Sequence, residues 1–331
     1  MPTAYAAMRD ALVVAEREGA EWSDTRSLDG YDLECVDVSS DAPNRAFVGT
    51  FGSGLRRSTD GGDSFERVGR ETIEQDAVMS VAVSPRDPDV VYAGTEPSRV
   101  YRSTDGGETW SLLDGLIDLP SADEWSFPPR PDTHHVRWIE PDPNDADRLY
   151  VGVEAGALVM TEDGGETWRE RPPGSRRDNH TLTTHPDAPD RAWSAAGDGY
   201  AETRDGGETW DHPQEGLGHR YCWSLAVDPD DPNTVLVSAA SGAYSAHTAS
   251  RAESYLYRKR DGDEWFRLTD FPAGEGVVRA VLAAGTEAGE LFAATNHGLF
   301  RTADVGDRWE RVPVPWERFG EDTCRGLAVV G

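Results

Sequence analysis

The sequence predicts an all-β chain folded as a seven-bladed β-propeller, a ring of four-stranded antiparallel blades. Three observations carry that expectation. A short turn phrase recurs along the chain, its copies are spaced at the length of one blade, and the stretches between them alternate apolar and polar residues in short runs bounded by Pro, Gly and Asp.

The phrase runs from Ser58 to Phe65 and from Ser103 to Trp110, and returns at Thr161–Trp168, Thr203–Trp210 and Thr302–Trp309. A copy one residue shorter spans Asp261–Trp265, and a worn copy spans Glu18–Trp22. The key acids, from Glu18 onward, stand roughly 42 to 58 residues apart, the period of a four-stranded unit. The chemistry is that of a tight hairpin. A carboxylate accepts nearby backbone N–H groups, glycines permit positive φ, and an aromatic residue opens the next strand with a large apolar face.

The pattern S/T-x-D-x-G-x-x-W resembles the Asp-box or BNR repeat found in sialidases, xyloglucanases, sortilin-type receptors and the photosystem II assembly factor of chloroplasts and cyanobacteria. The resemblance implies boxes on the propeller rim with a structural role. It assigns that role here to Asp60, Asp105, Asp163, Asp205, Asp261 and Asp304. Sialidases also carry an Arg-Ile-Pro phrase near the start and have six blades. That phrase is absent, so a sialidase reading would rest on the boxes alone.

One propeller domain, 1–331, uses the whole chain. Six blades are expected at 33–70, 78–113, 134–171, 179–213, 221–268 and 278–312. Residues 323–331 supply an inner strand with no box after it, and 4–30 supply outer strands with no inner partner. Shared in one blade, they close the ring and leave no free sheet edge.

Composition narrows the partners. There are 61 acidic against 32 basic residues, a formal charge of -29, and Lys259 is the only lysine. No basic stripe awaits phosphates, so nucleic acid is not an expected partner. An evenly acidic, lysine-poor surface suits a salt-rich cytoplasm, as in a halophilic archaeon. No signal-like apolar run opens the chain and none reaches membrane-spanning length. Cys35, Cys222 and Cys324 are odd in number and far apart, which fits a reducing cytoplasm rather than a disulfide framework.

The fold sorts residues by face. Loops entering the inner strands and loops joining strands two and three share one face, and the boxes occupy the other. Counting six residues back from the closing turns at Pro85, Pro141, Pro186 and Pro229, and matching the other blades, gives Glu34, Met79, His135, His180, Trp223, Arg279 and Arg325. A purely structural repeat has no need of such varied polar residues at one position. His134, Asp178, Asn179, Tyr221, Cys222 and Cys324 stand beside this column. The second loops add Glu96, Glu154, Asp198, His247 and His297. Insertions at 114–133 and 240–254 decorate the same face.

Three chemistries suit this inventory. His134, Arg137, Arg220, Tyr221, Trp223, Arg279 and Arg325 form a ligand-binding set, the guanidiniums gripping a carboxylate or phosphate. His135, His180 and His219 are candidate ligands of a divalent metal. Glu34, Glu154 and Asp178 are the carboxylates available to a glycosidase-like hydrolase. The expected function is therefore binding of a small anionic or metal-bridged ligand, or a sugar, by a monomer. The alternative is a non-enzymatic scaffold or assembly factor that holds a protein on the same face. Self-repulsion among an excess of 29 negative charges should abolish cooperative unfolding in dilute buffer. Thermal melts in about 0.1 M and about 2 M KCl check this, and equal stability in the two would oppose the halophilic reading.

Overall fold

A computed structural model describes residues 1–260 and 262–331. These residues form seven antiparallel sheets arranged as a ring. The inner strands are Leu33–Val38, Ala77–Val83, Val136–Pro141, Asn179–Thr184, Tyr221–Asp228, Val281–Ala284 and Cys324–Val330. Each contacts the next, and the last contacts the first. The seven-bladed ring read from the repeat is the observed architecture.

Closure follows the expected route. Cys324–Val330 pairs with Thr3–Met8, which pairs with Ala11–Glu18 and then Glu21–Ser27. The register runs from Thr3 opposite Val330 to Ala7 opposite Gly326. Both faces of this blade are covered: Ala4, Ala6 and Val13 join one apolar cluster, and Tyr5, Ala7 and Val14 the next. Such sheet-on-sheet packing sets the blade-to-blade contact throughout the ring. In the blade of Asn179–Thr203, three strands form the sheet and the fourth is reduced to a bridge between Glu202 and Asp211.

The described boxes share one geometry, and its hub is the residue two before the acid. Ser58, Ser103, Thr161, Thr203 and Thr302 are all buried. Ser103 Oγ donates to Asp105 Oδ1 at 2.8 Å and accepts the Gly107 amide at 2.9 Å. Asp105 in turn accepts the Thr109 amide at 2.9 Å and its hydroxyl at 2.6 Å. These hydrogen bonds from Thr109 and Ser103 hold the Asp105 carboxyl down to about 2, and Asp60 and Asp163 behave alike. The second glycine of each box abuts the preceding blade. At Gly107, φ is +88° and a Cβ would lie 2.7 Å from the Phe47 ring; at Gly207 it would lie 2.8 Å from Tyr150. The box is thus a turn and an inter-blade contact at once. Asp261 lies outside the described residues.

The boxes sit with the closing turns of the inner strands. Gly61, Gly106, Gly164 and Gly206 donate their amides to Asn44, Asp89, Asp147 and Asp190. The opposite face holds the loops that enter the inner strands, joined to the second loops by bonds such as Glu154 N–H to His135 O and Gly197 N–H to Asp178 O. Lys259 pairs in the interior with Glu202 at 3.1 Å, so the chain's one lysine is a packing element and not a surface charge. No helix among the described residues is long and apolar enough to cross a membrane.

Removing the last ten residues deletes the strand that closes the ring and exposes edges on both sides. The truncated chain should lose its cooperative melt in about 2 M KCl; an unchanged melting temperature would contradict closure. Ser103→Ala leaves the buried Gly107 amide unpaired and should cost about 1–3 kcal/mol in a denaturant titration.

Candidate functional site

On the inner strands, a β-bulge builds the site. In six blades the inner strand carries one residue more than its partner, and the extra residues are Glu34, Met79, Arg137, His180, Trp223 and Arg325. A bulged residue leaves the ladder and its side chain is re-aimed. Five of the seven column positions read from the sequence are therefore bulges around the axis. Arg279 precedes its strand, Val281–Ala284, and the other exception is a shift of register. In the third blade the bulge is Arg137 and not His135, because the matching proline is Pro143 and not Pro141. The two-residue offset keeps both side chains on the same side of the strand.

Trp223 is the hinge of the cluster. Its ring lies 4.3 Å from the His180 ring and 4.5 Å from the His247 ring. The Arg279 guanidinium stands 3.7 Å from the ring centre, and that of Arg137 stands 4.9 Å from it. Arg279 is fully buried. It donates to the Cys324 carbonyl at 2.8 Å and from Nε to His247 Nδ1 at 3.0 Å, and its Nη2 finds no partner among the described residues. Burial, then the charges of Arg325 and Arg137, push it well below the ordinary arginine range. A guanidinium stays protonated in proteins, so this direction reports a cation held without a compensating acid. Since His247 Nδ1 accepts from Arg279, its Nε2–H donates to Tyr221 Oη at 2.9 Å. His247 is pushed down to about 2, chiefly by burial and then by Arg279 and His180.

Beside this lies a carboxylate–imidazole group. His135 Nε2 donates to Glu154 Oε2 at 2.9 Å, and His135 Nδ1 stands 3.4 Å from Glu96 Oε2. Glu96 accepts from Arg130 Nε and Nη2, and Phe127 packs edge-on to the His135 ring at 4.7 Å. Arg130 and Phe127 come from the 114–133 insertion, which thereby roofs His135. His180 Nε2 lies 3.8 Å from both Glu154 Oε1 and Asp178 Oδ2. Burial alone would raise Glu154, but the His135 hydrogen bond and the charges of His135, His180 and Arg137 outweigh it and hold the carboxyl below its usual range. Asp178 moves the other way, raised by burial, with Glu154 adding to the rise against His180. Gly197 makes room for Asp178: a Cβ there would sit 1.9 Å from its Oδ2.

The remaining predicted residues divide. Glu34 faces Arg325 at 3.8 Å on the axis. His134 packs against Trp125 at 5.5 Å, outside the cluster. His219 stacks on Tyr255 at 4.5 Å and meets the Tyr257 hydroxyl at 2.6 Å, away from the other two metal candidates. Arg220 is exposed and has no described role in the group. Arg130 escaped the sequence reading because it lies in an insertion with no repeat position to compare.

The space available to a ligand lies along the axis. A cavity of about 490 Å³ starts at Arg137 and Arg325 and follows the inner strands to Pro85, Pro141, Pro143 and Pro186. It opens below the histidine cluster, not among the histidines, because the roofing insertion and the Trp223 stack fill that end. Asp37 and Glu140 line its wall, pushed up to about 6 and about 7 by burial although each accepts a backbone N–H of the next blade. The sequence reading missed both; the signal that could have found them is an acid on an otherwise apolar inner strand.

Residues 101–112 match the BNR/Asp-box repeat family. No curated protein matches the chain by sequence. Among solved structures, it is similar to the GH74 enzyme of Niastella koreensis at 17% identity and TM-score 0.63, over 89% of this chain and 46% of that one. An ancestral GH74 enzyme gives 14% identity and TM-score 0.65, over 84% and 38%. YCF48 bound to a D1 peptide gives 16% identity and TM-score 0.59, over 85% and 80%. The chain thus spans less than half the length of either GH74 enzyme, and at these identities the likeness concerns the fold. Repeat, ring and neighbours agree: the chain is a seven-bladed β-propeller built on BNR/Asp-box repeats.

Proposed function

We propose that this propeller binds a small anion, a carboxylate or a phosphate, where Arg137 and Arg325 meet the axial cavity. The observation that carries the proposal is the cluster of Arg137, Arg279 and Arg325, the first two of them over the Trp223 ring. Arg279 has no acidic partner among the described residues, and Arg137 and Arg325 reach only distant ones, Glu154 and Glu34, at 3.8 Å each. Three clustered cations repel one another, and an anion on the cavity side of Arg137 and Arg325 relieves that repulsion. Paired N–H groups from two arginines also suit the flat oxygens of such a ligand. The acidic, lysine-poor chain with three buried free cysteines supports a salt-rich, reducing cytoplasm as its setting.

A second reading, a protein-binding scaffold, is favoured by one observation. Tyr244 and Ile117 are exposed, 77% and 40%, and each sits on one of the two insertions of this face. The two readings separate on one measurement. Titration with inorganic phosphate at constant ionic strength should raise the melting temperature of the wild-type chain, as ligand linkage requires. Arg137→Gln and Arg325→Gln should each weaken phosphate binding roughly 10- to 100-fold, the loss of one charge-assisted contact. Absence of any effect from phosphate or citrate would leave the scaffold reading in front.

A further inference from the structure

We infer that Glu154, Asp178 and His180 form a binding site for a divalent first-row metal ion. The inference goes beyond anion binding and does not depend on it, since neither Arg137 nor Arg325 is a ligand.

The argument starts with the chain. Asp178 and His180 stand two apart where the backbone extends into the inner strand, so their side chains share a side. Glu154 arrives from the preceding blade, just after the strand Leu149–Val153. One ligand atom from each of the three lies within 4.8 Å of the others. His180 Nδ1 donates to the Cys222 carbonyl at 2.8 Å. A carbonyl only accepts, so in the neutral ring the proton is on Nδ1 and the Nε2 lone pair is free. That backbone-held tautomer is the arrangement that orients metal-bound histidines. His180 is 1% exposed, and its Nε2 has no hydrogen-bond partner among the described residues, although it points at two carboxylates.

The carboxylates are oriented as well. Glu154 Oε2 is taken by His135, which leaves Oε1 toward His180. Asp178 Oδ1 is taken by the Ala155 amide at 2.9 Å, which leaves Oδ2 toward His180. Each residue therefore uses one atom on a neighbour and presents the other to a common point. Ligand bonds of about 2.0–2.2 Å require the three atoms to draw together by roughly one ångström each or less. One imidazole with two carboxylates suits Zn²⁺, Mn²⁺ or Fe²⁺ and leaves positions for water or an anion. The partly exposed Asp178 side chain offers the way in.

The test uses chelator-treated full-length protein in about 1 M KCl, which suppresses loose binding by the acidic surface. Mn²⁺ is added and its free signal is followed by electron paramagnetic resonance, with Zn²⁺ as competitor. The expected result is a single saturable site that Zn²⁺ displaces. Asp178→Asn and Glu154→Gln should each weaken it by about tenfold or more, while His219→Ala, which removes a ring stacked on Tyr255 away from the three ligands, should leave it unchanged. Melting curves report folding; if Glu154→Gln fails to fold, Asp178→Asn, at the partly exposed ligand, decides. Failure of folded wild-type protein to bind either metal at about millimolar concentration would overturn the site. Binding undiminished in Asp178→Asn would also overturn the site. Phosphate titration in excess chelator is unaffected by either result, so the two readings fail separately.

Discussion

Ring closure is the constraint on which the rest of the molecule depends. A four-stranded blade alone has two open edges and two apolar faces. Placing seven around an axis covers every face, and lending the strand Cys324–Val330 to the N-terminal hairpins removes the last opening. What remains is the row of inner-strand edges along the axis. Neighbouring blades satisfy these with side chains: Asp37 takes the Val83 amide, Glu140 the Thr184 amide, Ser224 the Leu282 amide, and Thr181 donates to the Trp223 carbonyl. Polar residues on these strands are thus demanded by the architecture before any function is considered.

The site uses the same device with less complete satisfaction, and here the contrast between residues matters. His180 Nδ1 and Arg279 Nη1 cap carbonyls of the next blade, as structural side chains do elsewhere on the axis. His180 Nε2 and Arg279 Nη2 are left without a hydrogen bond among the described residues. A buried polar group without a partner is costly, and two of them flanking one indole mark where the ring departs from pure scaffold. The bulges explain how a repeat does this. An extra residue on the inner strand leaves the ladder and can change identity from blade to blade without disturbing pairing.

The boxes and the site divide the labour. Hydroxyl, carboxylate and glycine of each box are used up within one turn and one inter-blade contact. That leaves the opposite face to carry insertions such as 114–133, whose Phe127 and Arg130 close over His135 and Glu96. The price of that cover is access: the cavity runs from Arg137 and Arg325 toward the closing turns. Fold likeness to GH74 enzymes and to YCF48 fits such a division, since a shared scaffold carries different sites.

By itself the sequence determined the ring, because its evidence is local and repeated. A turn that needs hydroxyl, acid, glycine and aromatic at set offsets is legible wherever it occurs, and its period counts the blades. It also determined that His180 and Trp223 share a position, since Pro186 and Pro229 provide a ruler, and Glu34 and Arg325 followed by matching the other blades. Where that ruler was doubled, at Pro141 and Pro143, the reading slipped by two residues and put His135 in place of Arg137. Only the tertiary structure decided which candidates meet. Glu154, Asp178 and His180 come from two blades, and His219 and Arg220 stay outside although they lie close by in sequence to Trp223. The physical reason is that turn chemistry acts between near neighbours in the chain, whereas convergence on the axis depends on how bulges and roofing loops aim side chains across blades.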